Sequence, residues 1–135
     1  MINIIITIAV VIISALIFVM LVMMIFGALA NRYQTKRSMK KKIYIAGKVT
    51  GEPIAECTMK FGTAQKKWEA KGYEVVNPLE VVGSFNVKWK PAMKLCIKAL
   101  VDCDEVYFLK DWQMSPGAIL EHKIAEELDI LITYE

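Results

Sequence analysis

The hydrophobic pattern divides the chain into three stretches. From Ile4 to Ala30 apolar side chains run almost unbroken, interrupted by Thr7, Ser14 and Gly27. A run with no polar face predicts a helix surrounded by hydrocarbon rather than one packed on a globular core. A spanning helix needs roughly 20 residues at about 1.5 Å each, so this one has length to spare for tilt. A cleaved signal peptide would want a basic start and an apolar core of about 7–15 residues. Met1-Ile2-Asn3 carries no basic side chain and the run is too long, so an uncleaved anchor over residues 1–30 is expected.

The second stretch, residues 31–42, places Arg32, Lys36, Arg37, Lys40, Lys41 and Lys42 within eleven positions. Positive charge flanking a single span stays cytoplasmic, which predicts the short N-terminus outside and the rest of the chain inside. This basic juxtamembrane linker also suits contact with anionic lipid, worth about 1 kcal/mol per charge. The plainer reading is that it acts only as a topology signal.

From Ile43 onward the period changes again. Ile43–Ala46 reads as a buried strand, and Ile54, Cys57, Phe61, Ala64 and Trp68 recur at three and four, predicting a helix over 54–71. Tyr73–Val76 is a second strand, closed by Asn77-Pro78, and a loop containing Gly83 and Trp89 follows. Met93, Cys96, Ile97, Leu100 and Val101 mark a second helix. Glu105–Leu109 is a third strand, Pro116–Leu128 a third helix and Ile130–Tyr134 a fourth strand. Strands alternating with helices imply right-handed crossovers and a parallel sheet covered on both faces: an α/β three-layer sandwich over residues 43–135. With strand order 2-1-3-4, a ligand crevice lies between the ends of strands one and three, at residues 44–50 and 110–121. A domain this small has a modest core, so self-association into a homo-oligomer is expected.

Composition changes this picture little, but it excludes several classes. The chain is 56% hydrophobic with net charge +3, yet 26 of the first 30 residues are apolar and 49 of the remaining 105 are, as in an ordinary soluble domain. A polytopic membrane protein and a disordered chain are both excluded. Residues 43–135 hold 11 basic and 14 acidic side chains, which argues against nucleic-acid binding by the folded part. Three cysteines, Cys57, Cys96 and Cys103, are too few for a disulfide scaffold and fit a reducing compartment. One histidine and no C-x-x-C pair give no metal site, and no cofactor is expected. His122 reads as a surface residue. Gly47-Lys48-Val49-Thr50 resembles the tail of a phosphate loop, but the first glycine of that motif would fall on Lys42.

The informative stretch is Asp111 to Glu121. Ser115-Pro116 reads as an N-cap followed by proline at the first helical position. Counted from Gly117, the inward stripe is Leu120, Glu121, Ile124, Ala125 and Leu128, so a glutamate occupies a core position. A carboxylate is buried at high cost unless it is paired or used. Near the helix N-terminus the dipole favours its ionised form, and the N–H groups of Gly117 and Ala118 suit an anion such as phosphate. An ionised, desolvated Glu121 at a strand-end crevice is a suitable nucleophile toward a sugar carbon, with Asp111 as its acid or base partner.

Lys42–Gly47, Val75–Pro78, Asp102–Leu109, Asp111-Trp112 and Ser115-x-Gly117-Ala118-x-x-Glu121 together resemble a small bacterial and phage family of uncharacterised domains. That family is similar to the nucleoside 2-deoxyribosyltransferases and the related nucleotide N-glycoside hydrolases. The resemblance covers nearly all of residues 42–135. It implies a parallel flavodoxin-like sheet and cleavage or transfer at the N-glycosidic bond of a nucleoside or nucleotide. By motif position Glu121 would be the nucleophile, Tyr44 would orient it and Asp111 would contact sugar or base. Ser115 and Gly117 would receive a 5′-phosphate, and Gly47, Asn77 and Trp112 would complete the substrate-binding set. Relatives of this type are oligomers. The chain departs from the pattern at Cys96, where much of the family carries an aspartate that serves the leaving base; its place on the apolar stripe also suits packing. A non-catalytic nucleotide-binding sensor and an adaptor held at the membrane are the alternative classes.

Overall fold

The computed structural model describes residues 1–38 and 40–135, with side chains outside the description at 33–38. The chain falls into two compact units, residues 1–39 and 40–135. In the first, α1 (Ile2–Ser38) is one continuous helix. Its Ile2–Arg32 portion is long and apolar enough to cross a membrane, about 46 Å of helix against a hydrocarbon core of about 30 Å. The two hydroxyls within the apolar run are satisfied inside the helix, Thr7 donating to the Asn3 carbonyl and Ser14 to the Val11 carbonyl, each at 2.8 Å. A helix with its hydroxyls bonded in this way would carry no bare hydroxyl into hydrocarbon. The helix does not stop at Ala30: the expected linker is helical as far as Ser38. Of the basic run, the side chains of Lys36 and Arg37 lie outside the described residues.

The second unit is built on a four-stranded parallel sheet of order β2-β1-β3-β4: β1 (Lys42–Ala46), β2 (Glu74–Val76), β3 (Glu105–Phe108) and β4 (Leu131–Tyr134). Central β1 pairs Tyr44 with Val76 on one side and with Val106 on the other. Its residues Ile43 to Ala46 are fully buried, so it reads as an unbroken apolar run. Alternation sends Ile43 and Ile45 to one face, where α2 (Ile54–Ala70) lays down Cys57, Phe61, Ala64 and Trp68 against them and against Tyr107 and Leu109. Tyr44 and Ala46 face the other way, into a core shared with α4 (Trp89–Val101) and α5 (Pro116–Glu127). This is the expected three-layer, flavodoxin-like sandwich, with element ends, apart from the start of α4, within about two residues of expectation.

Three local expectations are corrected. The loop after Asn77 contains a helical turn, α3 (Pro78–Val82), started by Asn77 Oδ1 accepting from Leu79 N at 3.0 Å and stopped by Gly83 at φ 70°. Trp89, expected in that loop, opens α4. On α5 the buried residues are Gly117, Ala118, Glu121 and Ala125, while Leu120 and Leu128 are exposed. The apolar stripe is thus rotated toward the small residues, which let the helix lie close to α4 and the sheet; Glu121 keeps its inward position.

Candidate functional site

Beyond the carboxyl ends of β1 and β3 lies a cavity of about 440 Å³. Its walls are the β1–α2 loop from Gly47 to Glu52, Phe85 after α3, the inner side of α4 at Trp89, Met93 and Cys96, and the first two turns of α5. Two glycines permit the close packing. A Cβ on Gly47 would come within 2.8 Å of Leu109 Cδ1 and 3.2 Å of Asp111 Oδ1, and one on Gly117 within 2.9 Å of Met93 Sδ. The α5 N-terminus is fixed as the sequence predicts, with Ser115 Oγ accepting from Ala118 N at 3.2 Å and Pro116 in the first turn.

Glu121 lines this cavity yet is only 5% exposed. The Tyr44 hydroxyl, itself fully buried, donates to Glu121 Oε1 at 2.7 Å. Burial pushes the Glu121 carboxyl up to about 7, and the bond from Tyr44 opposes that shift without cancelling it. Desolvation is the larger of the two effects, and it favours the neutral acid over the carboxylate relative to an exposed glutamate. Burial, and then the neighbouring Glu121 charge, hold the Tyr44 phenol well above its usual range, so it remains a donor. Cys96 stands beside this pair on the cavity wall. Burial raises its thiol too, leaving a protonated, weakly nucleophilic group suited to packing.

Comparison with the other buried carboxylate shows what is unusual about Glu121. Glu105, at the opposite end of β3, accepts from Thr133 Oγ1 at 2.6 Å and Tyr73 OH at 3.2 Å, one bond to each oxygen. Glu105 is thereby satisfied within the fold. Glu121 receives Tyr44 on one oxygen and opens onto the cavity.

Of the remaining expected site residues, Gly47, Ser115 and Gly117 line the cavity, whereas Asp111, Asn77 and Trp112 do not. Asp111 is engaged elsewhere. Its Oδ1 accepts from Lys48 N at 3.1 Å, and its Oδ2 accepts a short charged bond from Lys60 Nζ. Asn77 spends its carbonyl on the α3 cap and its amide on Gln65 Oε1 at 2.9 Å. Trp112 stacks on the imidazole of His122 at 4.4 Å and 8°. That contact also corrects the reading of His122: its side chain is 13% exposed, set among Trp112, Phe108 and Tyr134, with Nε2 2.6 Å from the Tyr134 hydroxyl.

Sequence reasoning passed over Glu52 and Lys60. Glu52 is the second carboxylate on the cavity wall. Lys60 Nζ joins Glu52 Oε2 at 2.5 Å, the Lys48 carbonyl at 2.8 Å and Asp111, tying the β1–α2 loop to the end of β3. Burial works against the Lys60 ammonium, but its bonds to Asp111 and Glu52 more than offset this and leave its pKa raised. No motif could reveal a contact between residues 51 positions apart; the one available hint was a lysine adjacent to the buried stripe of α2. Among the described residues no His, Cys, Asp or Glu group is arranged to hold a metal ion, and no lysine or arginine lines the cavity.

A search among curated proteins returns no match. Residues 41–134, which contain the whole sheet and every cavity-lining residue, match the family described as Domain of unknown function (DUF4406), and the chain belongs to that family.

Proposed function

We propose that this protein is a membrane-anchored enzyme that cleaves or transfers at the N-glycosidic bond of a nucleoside, with Glu121 as nucleophile and the cavity-bearing domain on the cytoplasmic side. The observation that carries the reading is a buried carboxylate held by Tyr44 and open to a cavity of about 440 Å³, enough for a base and a sugar. In its ionised form Glu121 attacks the anomeric carbon, and the C–N bond breaks with its electron pair leaving on the base, which takes up a proton. Water then releases the sugar from the glycosyl ester, or a second base accepts it. The proposed likeness to nucleoside 2-deoxyribosyltransferases rests on the motif resemblance, with which the flavodoxin-like sheet agrees. Glu52, the other carboxylate on the cavity wall, suits the acid and base role better than Asp111, which Lys60 and Lys48 hold outside the cavity. A described lining without lysine or arginine favours a nucleoside over a nucleotide, as does the use of the Ala118 N–H by Ser115. Self-association belongs to the same proposal, and exposed Leu128 and Leu131 beside edge strand β4 supply apolar surface for it.

Incubating the full chain in detergent with a panel of nucleosides and nucleotides should release free base from at least one nucleoside. Glu121→Ala should reduce that release by about a thousandfold or more. A Glu121→Ala protein that cleaves as fast as the parent would show the nucleophile assignment to be wrong. Tight nucleoside binding with no base release from any substrate would support the sensor reading, which Cys96 on the wall favours. For topology, trypsin should digest residues 40–135 in inverted vesicles and leave them intact in whole cells; the opposite result would reverse the orientation. Thiol labelling suits this purpose poorly because all three cysteines are buried.

A further inference from the structure

The mildly acidic net charge of residues 43–135 hides an uneven distribution. Between Glu80 and Asp102 there is no acidic residue, and that interval carries Lys88, Lys90, Lys94 and Lys98. All four are exposed, and none is in an ion pair or side-chain hydrogen bond among the described residues. Lys90, Lys94 and Lys98 recur every four residues and form one stripe on α4, opposite the side that buries Cys96 and Leu100. The carboxylates on neighbouring elements do not reach them. Glu126 of α5 pairs with His122 at 3.2 Å, Asp104 accepts from Lys42 N at 2.7 Å, and Glu80 of α3 makes no ion pair among the described residues.

This arrangement works against the fold. Lys88 sits at the α4 N-cap without a side-chain cap bond, and the first turn holds Lys90 and no acid, where the helix dipole favours negative charge. Like charges at four-residue spacing repel as well. Residues that oppose their own local structure point to an external partner. Exposed Val101 lies on the same side of α4 as the lysines, and exposed Leu95 flanks them.

We propose that this lysine face of α4 docks on an anionic lipid bilayer. Lysine ammoniums attract anionic headgroups, each worth about 1 kcal/mol near the surface, and the exposed Val101 and Leu95 beside them suit the apolar boundary beneath the headgroups. A nucleic acid fits less well, because residues 43–135 contain no arginine for bidentate phosphate contacts, and exposed aliphatic side chains gain nothing from a phosphate backbone. The same chain carries a helix of membrane-spanning length. The proposal rests on that helix inserting and is independent of any chemistry at Glu121.

The test reconstitutes the full chain in phosphatidylcholine nanodiscs and in discs that also contain phosphatidylserine. Co-elution with either disc reads insertion separately. Lysine acetylation rates are then measured residue by residue by mass spectrometry. In the anionic discs Lys88, Lys90, Lys94 and Lys98 should react about fivefold more slowly, with high salt restoring the rate, while Lys66 on the opposite layer is unchanged. The triple variant Lys90→Gln/Lys94→Gln/Lys98→Gln, on exposed positions, should abolish the lipid-dependent protection of Lys88 while leaving the circular dichroism spectrum intact. Equal rates in the two discs, or protection of Lys66 to the same degree, would overturn the proposal. Protection by a single-stranded oligonucleotide but not by phosphatidylserine would overturn it in favour of nucleic-acid binding.

Discussion

Glu121→Gln is expected to make the domain more stable at pH 8 by about 3 kcal/mol, and to leave it unchanged at pH 4. The carboxyl has an ordinary value of 4.5 and is raised in the fold to about 7. The sign follows from proton counting. Between those values the native state holds a proton that the unfolded chain has released, so stability falls as pH rises, by about 1.4 kcal/mol per pH unit. Above about 7 both states are ionised and the full penalty remains; below about 4.5 both are protonated and there is none. Glutamine carries no charge at any pH, keeps an acceptor for the Tyr44 hydroxyl and points its amide at the cavity. At pH 8 the gain corresponds to a Tm increase of more than about 10 °C for a domain of this size. Urea titrations of the detergent-solubilised chain at pH 4 and pH 8, read by tryptophan fluorescence, measure it. A gain of similar size at both pH values would mean that the substitution acts through packing, and no gain at pH 8 would mean that burial does not hold the carboxyl near 7. Base release by the parent should rise through the same pH range as Glu121 ionises. A group that destabilises its own fold and opens onto a cavity is retained against its stability cost, which is the energetic ground for the nucleophile proposed above.

The architecture was legible because its signals are local. Gly47 stops β1, Pro116 and Ser115 start α5, and the spacing from Cys57 to Trp68 describes one helix face; each involves a few neighbouring residues. The short α3 was missed because five residues make barely more than one turn, too few for a period to show, although Asn77, Pro78 and Gly83 are a start and stop pair. The stripe on α5 was misjudged by size: Leu120 and Leu128 look like core residues, but close packing against Met93 selects Gly117, Ala118 is buried beside it, and the leucines turn outward. Glu121 survived this rotation because it lies on both possible stripes. Its bond partner Tyr44 stands 77 residues away, so motif position could suggest the pair but spacing could not. Asp111 shows the converse. An aspartate at a strand end is where chemistry is expected, yet a lysine from the other layer of the sandwich claims it.

Lys60→Met is expected to destabilise the domain by about 2 kcal/mol and to loosen the cavity wall, whose Glu52 it holds from outside the cavity. Methionine keeps the aliphatic stem and helical preference of α2, so the change isolates the ammonium. Its loss leaves Asp111 and Glu52, both about one-fifth exposed, as neighbouring carboxylates with no cation, and removes the donor to the Lys48 carbonyl. Fully buried pairs broken on one side lose about 3–5 kcal/mol and exposed ones under about 1, which places this partly buried cluster between the two. Because the folded state raises the Lys60 pKa above its ordinary 10.5, the native contribution is complete below that value and disappears as pH climbs through the higher folded one. Hydrogen exchange should locate the effect, with amides from Lys48 to Glu52 opening faster while those of β1 stay protected. Adding Asp111→Asn to Lys60→Met should recover part of the lost stability, since the orphaned charge is then removed as well. An unchanged urea midpoint together with unchanged exchange in the β1–α2 loop would show that the cluster is an exposed ion pair of no consequence, and that the wall bearing Glu52 is held by its backbone alone.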